Sequence, residues 1–359
     1  MSIRHILTLV GVAFAVALVV TPVVRRLSVR AGLVDSGGGR KVHTHDISRL
    51  GGIGIVSGMV ATLAVQFAGE AWLGWAPALT EADGPLYGTL AGLLVIFLVG
   101  LIDDLMGLSP GVKLAGQLLA AALPIAMGLR VEYLGNPFDG RLFQLDLLSY
   151  PVTALWIVGF ANVINLIDGL DGLAAGISAI AATSFLVLAV EMNQLVAAVL
   201  ATALLGACVG FLRFNFNPAS IIMGDSGALS LGYVLACMSL HGVMKSVAAI
   251  TLMVPLLVIG VPVFDTASAI IRRARHGRPI QEADNGHIHH RLLHRGFNQR
   301  QTVLIIYGWS IALAVGGYSM RLVPTFYKLV VFVVLAVLSG LMAKWLGLFE
   351  QARVHGDDA

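Results

Sequence analysis

LYGTLAGLLVIFLVGLIDD, residues 86–104, sets seventeen uncharged residues directly before two adjacent aspartates. A helix crosses the hydrocarbon of a bilayer with about 20 mostly apolar residues, so 86–102 predicts a membrane span. Ten further stretches read the same way, near 6–24, 50–69, 112–129, 151–167, 173–190, 194–212, 227–244, 247–271, 302–320 and 326–346. The fold class expected is therefore an all-α polytopic membrane protein with about 11 transmembrane helices. Composition agrees. Of 359 residues, 57% are hydrophobic and 12% charged, where a soluble domain carries roughly 25% charged residues. So few charges cannot cover a water-exposed surface of this size. A net charge of +3 is small, and nothing in the chain reads as a nucleic-acid binder.

Lys and Arg set the orientation. With the N-terminus outside and the C-terminus inside, inner segments hold 17 of the 23 Lys and Arg residues and outer segments 6. The stretch 6–24 ends in Thr21-Pro22 and Arg25-Arg26 with no small-residue cleavage site, so it reads as a retained helix and not a signal peptide. Cys208 and Cys237 lie inside apolar runs and read as buried small hydrophobes. Val131 to Leu145 alternates around Asn136-Pro137 and Asp139-Gly140, the pattern of a small outer β-hairpin. There is no sign of a second domain or an internal repeat. Chemistry is expected on the inner loops, 25–49, 103–111, 168–172, 213–226 and 272–301.

Six carboxylates, Asp103, Asp104, Asp168, Asp171, Asp225 and Asp265, fall at or near inner span ends. Ionisable groups at that depth usually face a polar cavity, and their mutual repulsion calls for a divalent cation or basic partners. Adjacent helical residues point about 100° apart, so only one of Asp103 and Asp104 can aim fully into a shared cleft. In NVINLIDGLDG, residues 162–172, Asn162 and Asn165 share a helix face, and Gly169 and Gly172 let backbone approach a ligand. Gly224-Asp225-Ser226-Gly227 follows Asn215-Phe-Asn217-Pro218 and opens a span. This suits a phosphate and its metal, or equally an ordinary N-cap supplied by Asp225 or Ser226.

DNGHIHHRLLHRG, residues 284–296, predicts a short helix with Asn285 as N-cap and Gly296 as stop. His287, His290, Arg291 and His294 then share a face. Zinc is one candidate for such a histidine cluster. The accompanying arginines favour an anion, because guanidinium matches phosphate in a bidentate way. Arg40-Lys41-Val42-His43, in the first inner loop, is by itself a basic segment suited to anionic lipid.

In order, Arg40-Lys41-x-His43, Asp103-Asp104, NVINLIDGLDGL, MGDSGALSLG, VPVFDTA and HIHHRLL resemble the polyprenyl-phosphate N-acetylhexosamine-1-phosphate transferase family over nearly the whole chain. The HIHHRLLHRG form is similar to the bacterial branch that starts O-antigen, enterobacterial common antigen or teichoic acid linkage units. Gly37, Ser48 and Ala228 stand where the family commonly has Pro, Pro and Ser.

The resemblance implies transfer of a sugar 1-phosphate, GlcNAc first, from a UDP-sugar to undecaprenyl phosphate, releasing UMP at the cytoplasmic face of a bacterial inner membrane. It implies Mg²⁺, with Mn²⁺ as a substitute, held by Asn165 and Asp225, and a single integral membrane domain that forms a homodimer. Catalytic roles fall to Asp103, Asp104, Asp168, His287, His289, His290 and Arg291. Asp103 is the family's proposed base, although a phosphate monoester, with its second pKa about 6, offers a base little proton to remove. Substrate contacts fall to Arg40, Lys41, His43, Asn162, Gly169, Leu170, Asp171 and Asn215, with Asp171 and its neighbours on the uracil ring. The rivals are a phospho-N-acetylmuramoyl-pentapeptide transferase and, from a different class, a cation-coupled transporter, which would place its acids at the midplane.

Overall fold

The computed structural model describes residues 1–34, 47–135, 141–243, 253–275, 286–320 and 322–348. They form two compact units, one of eight helices and a hairpin, the other of five helices. In the first unit the elements are α1 (Ile3–Arg30), α2 (Gly52–Leu73), α3 (Gly84–Met106), α4 (Pro110–Ala126), β1 (Tyr133–Gly135), β2 (Leu142–Gln144), α5 (Ser149–Ile167), α6 (Leu173–Glu191), α7 (Leu195–Asn215) and α8 (Gly224–Val243). In the second they are α9 (Met253–Val258), α10 (Gly260–Arg275), α11 (Ile288–His294), α12 (Gln299–Ser319) and α13 (Thr325–Trp345).

Eight helices among the described residues, α1, α2, α3, α5, α6, α7, α12 and α13, are long and apolar enough to cross a membrane, and α4 is a shorter apolar helix. The protein is thus an all-α polytopic membrane protein. The span expected over 247–271 is not one helix where it is described. It breaks between Val258 and Gly260 into α9 and α10. Pro262 explains this, since it has no N–H to offer the Val258 carbonyl and its ring crowds that carbonyl. Nor is α10 a plain lipid-facing rod, because it buries Asp265, Arg272 and Arg273.

Local sequence sets the helix ends around the site. Pro110 opens α4 where its missing N–H has no partner to lose. Gly107, at φ +70°, ends α3 in a backbone conformation that an L side chain rarely adopts. The hairpin pairs β1 and β2 antiparallel, with Tyr133 opposite Gln144 and Leu134 opposite Phe143. Its expected turn at 136–140 lies outside the described residues. Cys208 and Cys237 are free and buried, as expected.

At the centre of the first unit stands α8, buried continuously from Ser226 to Leu240. Helices that are apolar all round belong in the interior. Close approach depends on glycine, as membrane helix interfaces favour. A Cβ on Gly232 would lie 2.4 Å from the Phe160 carbonyl oxygen and 2.6 Å from the Ala161 Cα of α5. Tyr233 adds a polar anchor by donating its hydroxyl to the Thr89 carbonyl of α3 at 3.1 Å.

Gly232→Ala puts a methyl against backbone that cannot turn aside. Overpacking of this kind typically costs about 1–3 kcal/mol. The variant should unfold at a lower temperature in detergent, and an unchanged melting temperature would show that α8 and α5 do not meet here.

Candidate active site

The paired aspartates of α3 do different things. Asp104 reaches the first turn of α8, where its carboxylate accepts the backbone N–H of Asp225 at 2.7 Å and of Ser226 at 2.9 Å. The first N–H groups of a helix have no partner within it, and α8 receives its cap from a neighbouring helix. The N-cap expected from Asp225 or Ser226 themselves is not used. Gly224 makes the approach possible. Its φ is +72°, and a Cβ there would lie 2.0 Å from the Arg49 carbonyl and within 2.7 Å of both Asp104 oxygens.

Asp103 turns instead to the start of α4. It accepts the Leu108 N–H at 2.6 Å and pairs with the Lys113 ammonium at 3.0 Å. Lys113 also pairs with Asp225 and lies 3.4 Å from the Asn165 amide oxygen. Asn165 closes the group by donating its amide to Asp225 at 2.8 Å. Asp103, Asp225, Asn165 and Lys113 thus come from α3, α8, α5 and α4 and meet at one end of the helices.

Asp168 follows the last residue of α5 and its N–H bonds the Asn165 carbonyl at 3.3 Å. Burial, reinforced by the carboxylates of Asp225, Asp104 and Asp171, pushes Asp168 up to about 7. A cation placed beside it would favour the ionised form.

Other sequence-selected residues spend their hydrogen bonds within the protein. Asn162 and Gln117 exchange both amide hydrogen bonds, at 2.7 and 3.1 Å, between α5 and α4. Asp171, buried, accepts the Asn217 side-chain amide at 3.0 Å and the Ala219 N–H at 2.9 Å. Asn215 accepts the Gly172 N–H at 3.1 Å and donates to the Ile221 carbonyl at 2.9 Å. These bonds fasten 168–172 to 215–221. Between them Leu170 is buried and Gly169 exposed. Arg40, Lys41 and His43 lie outside the described residues, but Val34, the last residue before their segment, lines a cavity of about 240 Å³ with Arg49, Leu50, Asp104 and Leu105.

In the second unit, α11 begins at Ile288 with His287 as N-cap, two residues later than the sequence suggests. Asn285 lies outside the described residues. Gly296, at φ +90°, ends the helix as expected. His287 is the cap and His289 sits on the buried side with Ile288 and Leu292, while His290 and Arg291 are half-buried and His294 is exposed. Burial, with His290 alongside, pushes His289 down to about 3. His289 is therefore a neutral imidazole near pH 7, with a buried Nδ1 that has no hydrogen-bond partner among the described residues.

Sequence reasoning gave Lys113 no role beyond its charge in an inner loop, and it passed over Gln117. A lysine and a glutamine one turn apart in the otherwise apolar α4 were the available signal.

The donor set suits a hard divalent cation. Two carboxylates and an amide oxygen already surround the positive charge of Lys113, and such oxygen ligands are what Mg²⁺ prefers. Among the described residues, no three His, Cys, Asp or Glu side chains enclose a metal by themselves. Mg²⁺ keeps several waters and needs only one or two protein carboxylates.

The sequence has relatives. The family described as Glycosyl transferase family 4 matches residues 86–243, the stretch that carries the carboxylate cluster. The chain is 36% identical over 340 residues, 95% of its length and 92% of the relative's, to a probable undecaprenyl-phosphate N-acetylglucosaminyl 1-phosphate transferase of Bacillus subtilis. It is 36% identical over 341 residues, 87% of its length and 82% of the relative's, to a decaprenyl-phosphate N-acetylglucosaminephosphotransferase of Mycolicibacterium smegmatis. A phospho-N-acetylmuramoyl-pentapeptide-transferase of Desulforudis audaxviator is 33% identical over 344 residues, 88% of this chain and 97% of its own. With that similarity running almost end to end, the chain belongs to the polyprenyl-phosphate N-acetylhexosamine-1-phosphate transferases and is an enzyme.

Proposed function

We propose that the protein transfers GlcNAc 1-phosphate from UDP-GlcNAc to undecaprenyl phosphate, giving the undecaprenyl-diphosphate sugar and UMP. The product would start a cell-envelope polysaccharide. The observation that carries this is the meeting of Asp103, Asp225 and Asn165 around Lys113 at the helix ends. One substrate lives in lipid and the other carries a diphosphate in water, so a charged site at the ends of membrane helices serves both. The Lys and Arg bias supports a cytoplasmic position for that end, and the bacterial relatives support a bacterial membrane.

An oxygen of the acceptor phosphate attacks the phosphorus that bears the sugar. A new P–O bond forms, the bond from that phosphorus to the bridging oxygen breaks, and UMP leaves with the bridging oxygen. Catalysis of phosphoryl transfer is almost entirely positioning and charge stabilisation. Asp225 and Asn165 would hold Mg²⁺, which when bound neutralises diphosphate charge. Lys113 holds Asp103 and Asp225 close and offers an ammonium to phosphate oxygens. His287, His290 and Arg291 supply donors for phosphate oxygens, and neutral His289 packs the imidazole row. The acceptor is largely ionised at neutral pH, so Asp103 positions groups through Lys113 and has no proton to take. Arg40, Lys41 and His43 serve the acceptor phosphate, and Gly169 with Leu170 and Asp171 the uracil.

The first test is UMP release by purified protein from UDP-GlcNAc plus undecaprenyl phosphate, with Mg²⁺ or with chelator. Metal-dependent UMP is expected. If only the UDP-N-acetylmuramoyl-pentapeptide gives UMP, the sugar assignment fails. If no UDP-N-acetylhexosamine reacts in folded protein, the transferase reading fails too.

Asp225→Asn should lower turnover roughly 100-fold or more while the melting temperature stays near that of the unaltered protein. Full activity would remove Asp225 from metal binding. Lys113→Met leaves Asp103 and Asp225 without the ammonium between them. Removing one partner of such a group costs about 1–3 kcal/mol, so the variant should melt earlier and recover more on adding Mg²⁺ than the unaltered protein does. Equal recovery in both would refute the account of Lys113.

A further inference from the structure

Asp265, in α10, has no part in the chemistry described so far, yet it is 2% exposed. A buried carboxylate needs strong partners, and both of its oxygens have them. Oδ2 lies 2.9 Å from His287 Nδ1, and Oδ1 accepts the Ile288 N–H at 2.8 Å. The second bond supplies the side-chain cap that α11 lacks from its own N-cap residue, His287. The first binds the imidazole by one nitrogen.

We propose that Asp265 is a positioning residue that acts through His287: it fixes the ring's orientation and its tautomer, and through His287 the row of histidines. A carboxylate can only accept, so Nδ1 must carry the proton, and Nε2 is then the nitrogen left for a ligand. The hydrogen bond at one ring nitrogen decides the state of the other. The order propagates along the row. The rings of His287 and His289 lie parallel within 2° at 5.7 Å, and those of His289 and His290 are 4.2 Å apart. With Nδ1–H held by a carboxylate, a proton taken up at Nε2 makes an imidazolium that donates to a phosphate oxygen. This rests on the reading of His287 as a ligand of the substrate diphosphate.

Asp265→Asn separates positioning from simple capping. Asn caps helices as well as Asp does. The Ile288 N–H accepts nothing, so it claims the Asn oxygen and the amide NH₂ is left facing His287. The ring then turns to the opposite tautomer, with Nδ1 bare. Two readouts follow in full-length protein. Turnover of the UDP-sugar should fall roughly 10- to 100-fold, the usual cost of losing a carboxylate behind a functional histidine, with KM changed by less than about threefold and an unchanged melting temperature. Nitrogen-15 NMR of labelled histidine, assigned with His287→Gln, should show Nδ1 passing from N–H type to lone-pair type and Nε2 passing the other way. Asp265→Ala, which loses the cap as well, should also melt earlier. Asp265→Asn with unaltered turnover, or with an unaltered His287 nitrogen signal, would reduce Asp265 to a helix cap and overturn the proposal. The NMR arm needs no turnover, so it decides the matter even where the transferase reading fails.

Discussion

A helix buried on all sides cannot leave its first N–H groups to water. For α8 this constraint is met from outside, by Asp104 on α3. The two bonds it accepts, at 2.7 and 2.9 Å, are charge-assisted, worth about 1.5–3 kcal/mol each. They bind the α3 end to the very turn that carries Asp225. Because neighbours on a helix diverge by about 100°, committing Asp104 to this cap sends Asp103 the other way, to Leu108 and Lys113. One capping requirement thus sorts two identical side chains into a positioning role and a cleft-facing role.

The second unit uses a related arrangement. The Asp265 carboxylate, also from a neighbouring helix, accepts the first N–H of α11. In both cases the receiving turn carries groups to which the proposed function gives a role, Asp225 in one and His287 in the other. A cap borne on the same segment would move with it. A cap from an adjacent helix ties the functional turn to a second element, so its position is set by helix packing more than by local loop conformation.

The sequence exposed the polar residues of the candidate site because carboxylates and asparagines in apolar helices are costly and rarely accidental. Asp103, Asn165 and Asp225 were visible on that ground, as were the all-helical class and the paired strands around Gly135 and Leu142. What it hid were the partners. Lys113 counted as a topology charge, although its ammonium organises the cluster, because a positive residue near a span end satisfies the inside rule without any specific contact. The break before Gly260 was masked by unbroken hydropathy, and only Pro262 announced it. The late start of α11 was missed because Asn285 looked like a cap, while the working cap is 23 residues upstream of Ile288 in sequence.

The polar groups between α4 and α5 form two rungs, and their order bears on the class of protein. The first rung is Lys113 with Asn165, open to Asp225 and Asp103. One turn further along, Gln117 and Asn162 close on each other, and the second Asn162 hydrogen goes to the Val158 carbonyl of its own helix. A reciprocal amide pair consumes its polarity and hands nothing onward. Past it, α4 buries Ala120, Ala121, Pro124 and Ile125, and α5 buries Ile157 and two hydroxyls, Thr153 and Ser149, which donate to the Ser149 and Asp146 carbonyls. A pathway for ions along this seam would need polar groups beyond the pair, toward the opposite membrane face, whereas a transferase needs them to stop within a turn or two of the headgroups. The seam follows the second pattern: charge at the helix end, a self-satisfied amide pair beneath it, and below that apolar packing whose hydroxyls are already bonded to backbone carbonyls.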